Sequence, residues 1–197
     1  MKFTGNIISR GIAFLALTFA LPGTVFATPV MCGVDPNINH MLIDSSQVSE
    51  CLDSGPGNIS GNPATDPFLQ NAAAAGSDYF LSSKSDDTNT WGLAFNVTYK
   101  DKSQTLGTWS LDANYWLANT VGILGFKFGT GNQDDEWFIY RLVQGVSSGN
   151  FEFVNIQQKG GGLSHTNLYD VPEPAALLLL GLGMIGLATS RKRRWQH

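Results

Sequence analysis

Hydrophobic and polar positions change period along the chain, and that change separates the central domain from its two ends. Trp91, Leu93, Phe95, Val97 and Tyr99 alternate with Gly92, Ala94, Asn96, Thr98 and Lys100, the period-2 pattern of a half-buried strand. The same spacing predicts strands over 107–112, 121–128, 136–143 and 150–156, with a final strand over 163–169 after Gly160-Gly161-Gly162 and a short one over 78–81. In the 121–128 strand, Leu124, Phe126 and Phe128 share one face, which their size assigns to the core; Ile123, Gly125 and Lys127 take the other. Residues 144–149 read as a hairpin-like connection between two of these strands. Ahead of them, 53–66 is rich in Gly, Pro, Asn and Ser and reads as an irregular loop, and 68–75 as one short helical turn. Short strands with polar turns and no long amphipathic helix predict an all-β fold, an antiparallel β-sandwich or jelly roll.

The two ends follow other rules. Lys2 and Arg10 precede an apolar centre from Gly11 to Leu21, Pro22 breaks it, and Val25-Phe26-Ala27 places small residues for cleavage between Ala27 and Thr28. This is a signal peptide over 1–27, addressed to signal peptidase; its apolar centre of 11 residues is too short to span a bilayer. At the other end Val171-Pro172-Glu173-Pro174 precedes an uncharged run from Ala175 to Ser190 and the basic cluster Arg191-Lys192-Arg193-Arg194. The prolines fix φ and withhold two backbone donors, which keeps the clip extended and readable. The apolar run predicts a transmembrane helix of about 24 Å, shorter than a hydrocarbon core of about 30 Å. The four cations snorkel to the headgroups and act as a membrane stop on the cytoplasmic side. Within this run Gly181 to Gly186 satisfies G-x-G-x-x-G, but no strand precedes it and no acidic residue follows, so it reads as a small-residue helix face and not as a dinucleotide site.

Clip, apolar helix and basic end, in that order at the C-terminus, resemble the PEP-CTERM sorting signal of Gram-negative bacteria, also catalogued as the C-terminal motif of ice-binding proteins. The resemblance covers about the last 25 residues and implies recognition of Pro172-Glu173-Pro174 by exosortase, a membrane-embedded cysteine protease, with removal of the anchor during export. It also implies an association with exopolysaccharide and biofilm. Residues 161–165, Gly-Gly-Leu-Ser-His, with Tyr169 before the clip, resemble a subgroup with β domains of this kind. The expected organisation is therefore a signal peptide (1–27), an exported β domain (28–170) and a sorting signal (171–194). The alternative to a sorting signal is an ordinary membrane anchor with a proline-containing stem.

Taken alone, residues 28–171 hold 6 Lys and Arg against 15 Asp and Glu, a net charge of −9 where the whole chain carries −4. So acidic a domain lacks the electrostatic footprint of a nucleic-acid binder. Cys32 and Cys51, separated by 18 residues, are most simply a disulfide in an oxidising compartment. A metal site would need further ligands, and only His40 and scattered carboxylates are near; His40 itself reads as a solvated surface residue.

Catalytic signals are sparse. His165 adjoins Ser164, but strand neighbours point to opposite faces, so the two are not expected to act as a pair. Neither G-x-S-x-G nor H-E-x-x-H occurs. Asp134, Asp135 and Glu136 offer oxygens for calcium without the regular acidic spacing of an EF-hand, and a solvated turn is the favoured reading, as it is for Asp86-Asp87. Of the large aromatics most are expected in the core, with Trp116 the best candidate for an exposed ring that stacks on sugar. The reading is of a non-enzymatic envelope or matrix protein without cofactors. Its alternatives are a carbohydrate- or ice-binding module, favoured by a row of exposed, regularly spaced Thr or aromatic residues on one flat face, and a glycan hydrolase, which would need two carboxylates about 5 to 10 Å apart in a cleft.

Overall fold

The computed structural model describes residues 28–101, 104–129, 135–156 and 162–172. The signal-peptide and transmembrane-helix assignments, Glu173, Pro174, the 191–194 stop and Asp134 lie outside the described residues.

Among the described residues ten strands form two antiparallel sheets of five, with two short helices. One sheet has the order β1 (Pro29–Cys32), β2 (His40–Asp44), β9 (Ser148–Val154), β6 (Gln104–Ser110), β5 (Ala94–Asp101). The other runs β3 (Val48–Pro56), β8 (Glu136–Leu142), β7 (Ile123–Gly129), β10 (Gly162–Asp170), β4 (Phe80–Lys84). Every strand the alternation predicts is present, with ends shifted by one to three residues at most sites.

The sheets share one core. Met41, Ile43, Trp109, Phe151 and Phe153 from the first sheet pack against Leu124, Phe126, Phe128, Phe138, Tyr140 and Leu168 from the second. Aromatic rings cross between them, with Phe128 stacked on Phe153 at 4.1 Å and Phe126 tilted on Phe151 at 5.1 Å. The Tyr140 hydroxyl also crosses, donating to the Met41 carbonyl at 2.7 Å. Cys32 and Cys51 are joined in a disulfide, and because β1 and β3 belong to different sheets the bond links the two layers covalently. Replacing both with Ser is expected to cost about 3 kcal/mol, read as a lower urea midpoint with a steeper slope, because the uncrosslinked unfolded chain exposes more surface.

Four expectations are corrected. The 144–149 segment is not a hairpin: β8 and β9 lie in different sheets, and the chain crosses between them through a turn at Gly145, whose φ of +88° suits a residue without Cβ. The link from β2 to β3 crosses beside it, and the Val143 N–H donates to the Gln47 carbonyl at 2.9 Å. His40 is buried on β2 and not solvated; its Nδ1 sits 2.8 Å from the Ile38 carbonyl. The stretch from 53 to 56, expected as loop, completes β3.

The fourth concerns the β7 face carrying Ile123, Gly125 and Lys127, which is buried as fully as the other. Helix α1 (Pro67–Ala74) lies over it, burying Phe68, Leu69 and Ala72 against Ile59, Ile123, Trp137, Ile139 and Tyr169. Asp66 caps this helix and Pro67 opens it, where proline's missing donor costs nothing. The second sheet is thus covered on both faces, while the first keeps an open outer face.

Candidate functional site

β10 carries the chain out of the fold. It pairs with β7 on one side and β4 on the other, with Asp170 opposite Phe80 at its last position. Asp170 is buried and accepts a 2.5 Å hydrogen bond from the Tyr115 hydroxyl. Burial raises its carboxyl above the ordinary Asp range, and the hydrogen bonds from Tyr115 and Ser82 oppose that rise. Burial raises the Tyr115 phenol too, the neighbouring carboxylate adding to the shift. Tyr115 belongs to helix α2 (Tyr115–Ala118), and its hydroxyl oxygen also lies 2.7 Å from the Val121 carbonyl, so its single proton is shared between two acceptors.

One residue beyond Asp170 the chain is at the surface: Val171 is 39 % exposed and Pro172 is exposed. The passage from a locked strand end to an accessible proline therefore takes a single residue. Residues 170–194 match the PEP-CTERM protein-sorting motif. The PEP-CTERM motif is the mark of an exported protein processed by exosortase, and here it starts on the last residue of β10, with no linker between sheet and signal. No curated protein and no solved structure matches the chain. Among the described residues no helix is long and apolar enough to cross a membrane.

The other sequence candidates are placed as follows. A bulge in β10 between Leu163 and His165 disturbs the strict alternation, and brings Ser164 Oγ to 3.4 Å from His165 Nδ1. The expectation of opposite faces is corrected to that extent. His165 is nevertheless tied inward, with Nε2 3.0 Å from the Ile59 carbonyl. Burial lowers its pKa below the ordinary His value, Lys84 and Lys127 act in the same direction, and the Ile59 carbonyl and Asp86 oppose them. In the neutral form Nε2 donates to Ile59, which leaves Nδ1 as an acceptor 3.9 Å from Asp86.

Asp135 and Glu136 do not converge. Asp135 pairs with Lys127 Nζ at 2.6 Å, and Glu136 accepts from Asn39 Nδ2 at 2.9 Å. Burial raises the Glu136 carboxyl, against the effect of the Asn39 bond. No group of three or more metal-ligating side chains occurs among the described residues. Trp116 is half-buried: its indole N–H donates to the Val146 carbonyl at 2.9 Å and its ring meets Tyr115 edge-on at 4.9 Å. That ring is built into the fold, and Leu117 beside it is the side chain that stands exposed.

Sequence reasoning missed a different surface, the open outer face of the first sheet. Asn96, Thr108 and Asn150 stand opposite one another across β5, β6 and β9, and Ala94, Ser110 and Ser148 form the next row. All six are exposed, above a groove of about 590 Å³. The signal was present in the alternation, since the polar half of each strand pattern is this face.

Proposed function

We propose that the chain is a structural component of the exported envelope or extracellular matrix, delivered by exosortase and without catalytic activity of its own. The observation that carries this reading is the abrupt exit at Asp170: a rigid β domain presents Pro172 to solvent at the start of the sorting motif. In this reading the uncharged 175–190 run holds the precursor at the membrane with the clip between them, so cleavage there frees a finished, folded domain. The paired crossing of β2 to β3 and β8 to β9 between sheets supports the jelly-roll-like form of the β-sandwich. A non-catalytic role is supported by the use of the acid-base groups in structure, with His165 bonded to Ile59, Asp66 capping a helix and Asp170 latched to Tyr115.

Replacing Pro172 and Glu173 with Ala tests the reading in cells. The expected result is a membrane-retained precursor of higher mass, detected by fractionation and intact-mass analysis. Normal release of the variant would overturn it.

A further inference from the structure

The chain enters and leaves the sandwich at one end. Thr28, the first residue after the segment read as a signal peptide, accepts through its carbonyl from the Ser45 N–H at 3.3 Å, and Pro29 stands opposite Asp44, the last residue of β2. β10 finishes at that same end. Tyr169 lies opposite Ile123, the first residue of β7, and the 111–122 connection carrying α2 joins the end of β6 to it. The two layers are tied together here by the Val143 N–H and the Gln47 carbonyl. Both membrane-addressed segments of the sequence therefore attach to one face of the domain.

That face exposes apolar side chains around the exit. Phe80 opens β4 directly opposite Asp170 and is 43 % exposed; Val171 follows Asp170; Leu117, on the helix whose Tyr115 holds Asp170, is 85 % exposed. Singly such side chains need no explanation, but here three surround one point of the surface. The length of chain beyond them says what covers them. Three residues, 172–174, separate Val171 from the uncharged 175–190 run, so four residue steps reach at most about 14 Å. A headgroup layer takes up roughly 5–8 Å of that reach. The run, as a helix of about 24 Å, is also shorter than a hydrocarbon core of about 30 Å, which draws the clip further in. The exit face of a membrane-held precursor is thus kept against lipid.

We infer that Phe80, Leu117 and Val171 form a membrane-docking surface, which seats the precursor on a zwitterionic lipid surface and holds Pro172 at headgroup depth. Apolar side chains gain by burial at the boundary of headgroups and acyl chains. Charge selects the lipid. The segments that make up this end, 44–48, 77–80, 90–94, 110–123, 142–148 and 170–172, contain Asp44, Asp78 and Asp112 and no lysine or arginine, so an anionic surface finds no cation to attract. Docking places the clip where a membrane-embedded protease works. Three side chains hold less apolar area than a single myristoyl chain, itself a marginal anchor, so cleavage of the tether also undocks the domain. The inference rests on the membrane-held precursor proposed above and adds what the domain does while it is held.

The experiment uses the full-length precursor in phosphatidylcholine nanodiscs without exosortase, its Leu, Val and Ile methyl groups labelled for NMR. Cross-relaxation from lipid acyl protons is expected at the methyls of Leu117 and Val171, and not at Val34 and Ile156, which are exposed at the opposite end of the sandwich. Leu117 is the deciding signal, because the short tether brings the face near the lipid without placing that side chain among acyl chains. Phe80→Asp is expected to weaken the Leu117 cross-peak at least about threefold, since losing buried aromatic area and adding a charge each shift the seated-to-free ratio roughly tenfold. Val171→Asp, beyond the last strand, is expected to do the same, and Val34→Asp to change nothing. Precursor that stays in the discs with no acyl contact at Leu117, or with equal contact at Val34, would overturn the docking surface. Contact that appears only when exosortase is added would assign the patch to the protease, and stronger contact in phosphatidylglycerol discs would overturn the choice of lipid. Failure of the underlying reading shows separately, as precursor that does not co-purify with the discs, and would take the inference with it.

Discussion

Phe128→Ala is expected to lower stability by about 3–5 kcal/mol, enough to move the thermal midpoint by on the order of 10 °C. Phe128 is fully buried and meets three rings, stacking on Phe153 at 4.1 Å and touching Phe138 and Phe151 edge-on. Phe151 and Phe153 come from one sheet, Phe128 and Phe138 from the other, so the deletion opens a cavity in the seam that holds the layers together. Rings on two sheets fixed by backbone ladders cannot slide to fill it, which places the loss towards the upper part of the range. Calorimetry on wild type and variant checks the value. A loss below about 1 kcal/mol would mean that the seam is held by the disulfide and the Tyr140 bond instead.

That seam was legible because the rule that exposes it is simple. Phe126 and Phe128, like Phe151 and Phe153, are spaced by two, and a strand turns such residues to one side. β3 was hidden for the opposite reason. Its pairing with β8 shifts between Val48 and Glu50 and again between Cys51 and Asp53, and each bulge resets the alternation, so the sequence shows no clean period. The 144–149 segment has the length and composition of a hairpin loop, and nothing local reveals that its flanking strands pair in different sheets; that is settled by Val143 meeting Gln47, nearly a hundred residues away. Neither could periodicity show that β7 is buried on both sides, since the cover comes from a helix and a loop whose docking is tertiary. The sorting motif was readable in full because its residues are contiguous in the chain and its pattern does not depend on tertiary pairing. The open outer face of the first sheet was readable only in part: the polar alternation of β5 and β6 marks an outward face, but the alignment of Asn96 with Thr108 and Asn150 depends on register.

Asp66 shows what composition conceals. It lies in a stretch whose Gly, Pro and Asn content reads as loop, yet it is fully buried, and an Asp directly before Pro67 and an apolar run is a helix-start signal. Its carboxylate satisfies three donors, two of them buried. Oδ1 accepts from the Leu69 N–H at 3.2 Å; Oδ2 accepts from the Gly61 N–H at 2.7 Å and from the Tyr169 hydroxyl at 2.9 Å. One side chain thereby fixes the start of α1, the loop before it and β10 beneath. Asp66→Ala orphans all three donors at once, and the expected cost is about 3–5 kcal/mol, well beyond the roughly 1 kcal/mol of an ordinary exposed cap. Tyr169→Phe removes a single partner and keeps the ring against Phe68, so it is expected to cost only about 1 kcal/mol. Urea denaturation of the two variants gives the ratio, and hydrogen exchange locates the damage: in Asp66→Ala the amides of α1 should lose protection before those of β6 and β9. Equal losses in the two variants would show that the carboxylate serves the tyrosine alone, and that α1 holds to the sheet through Phe68 and Leu69 without its cap.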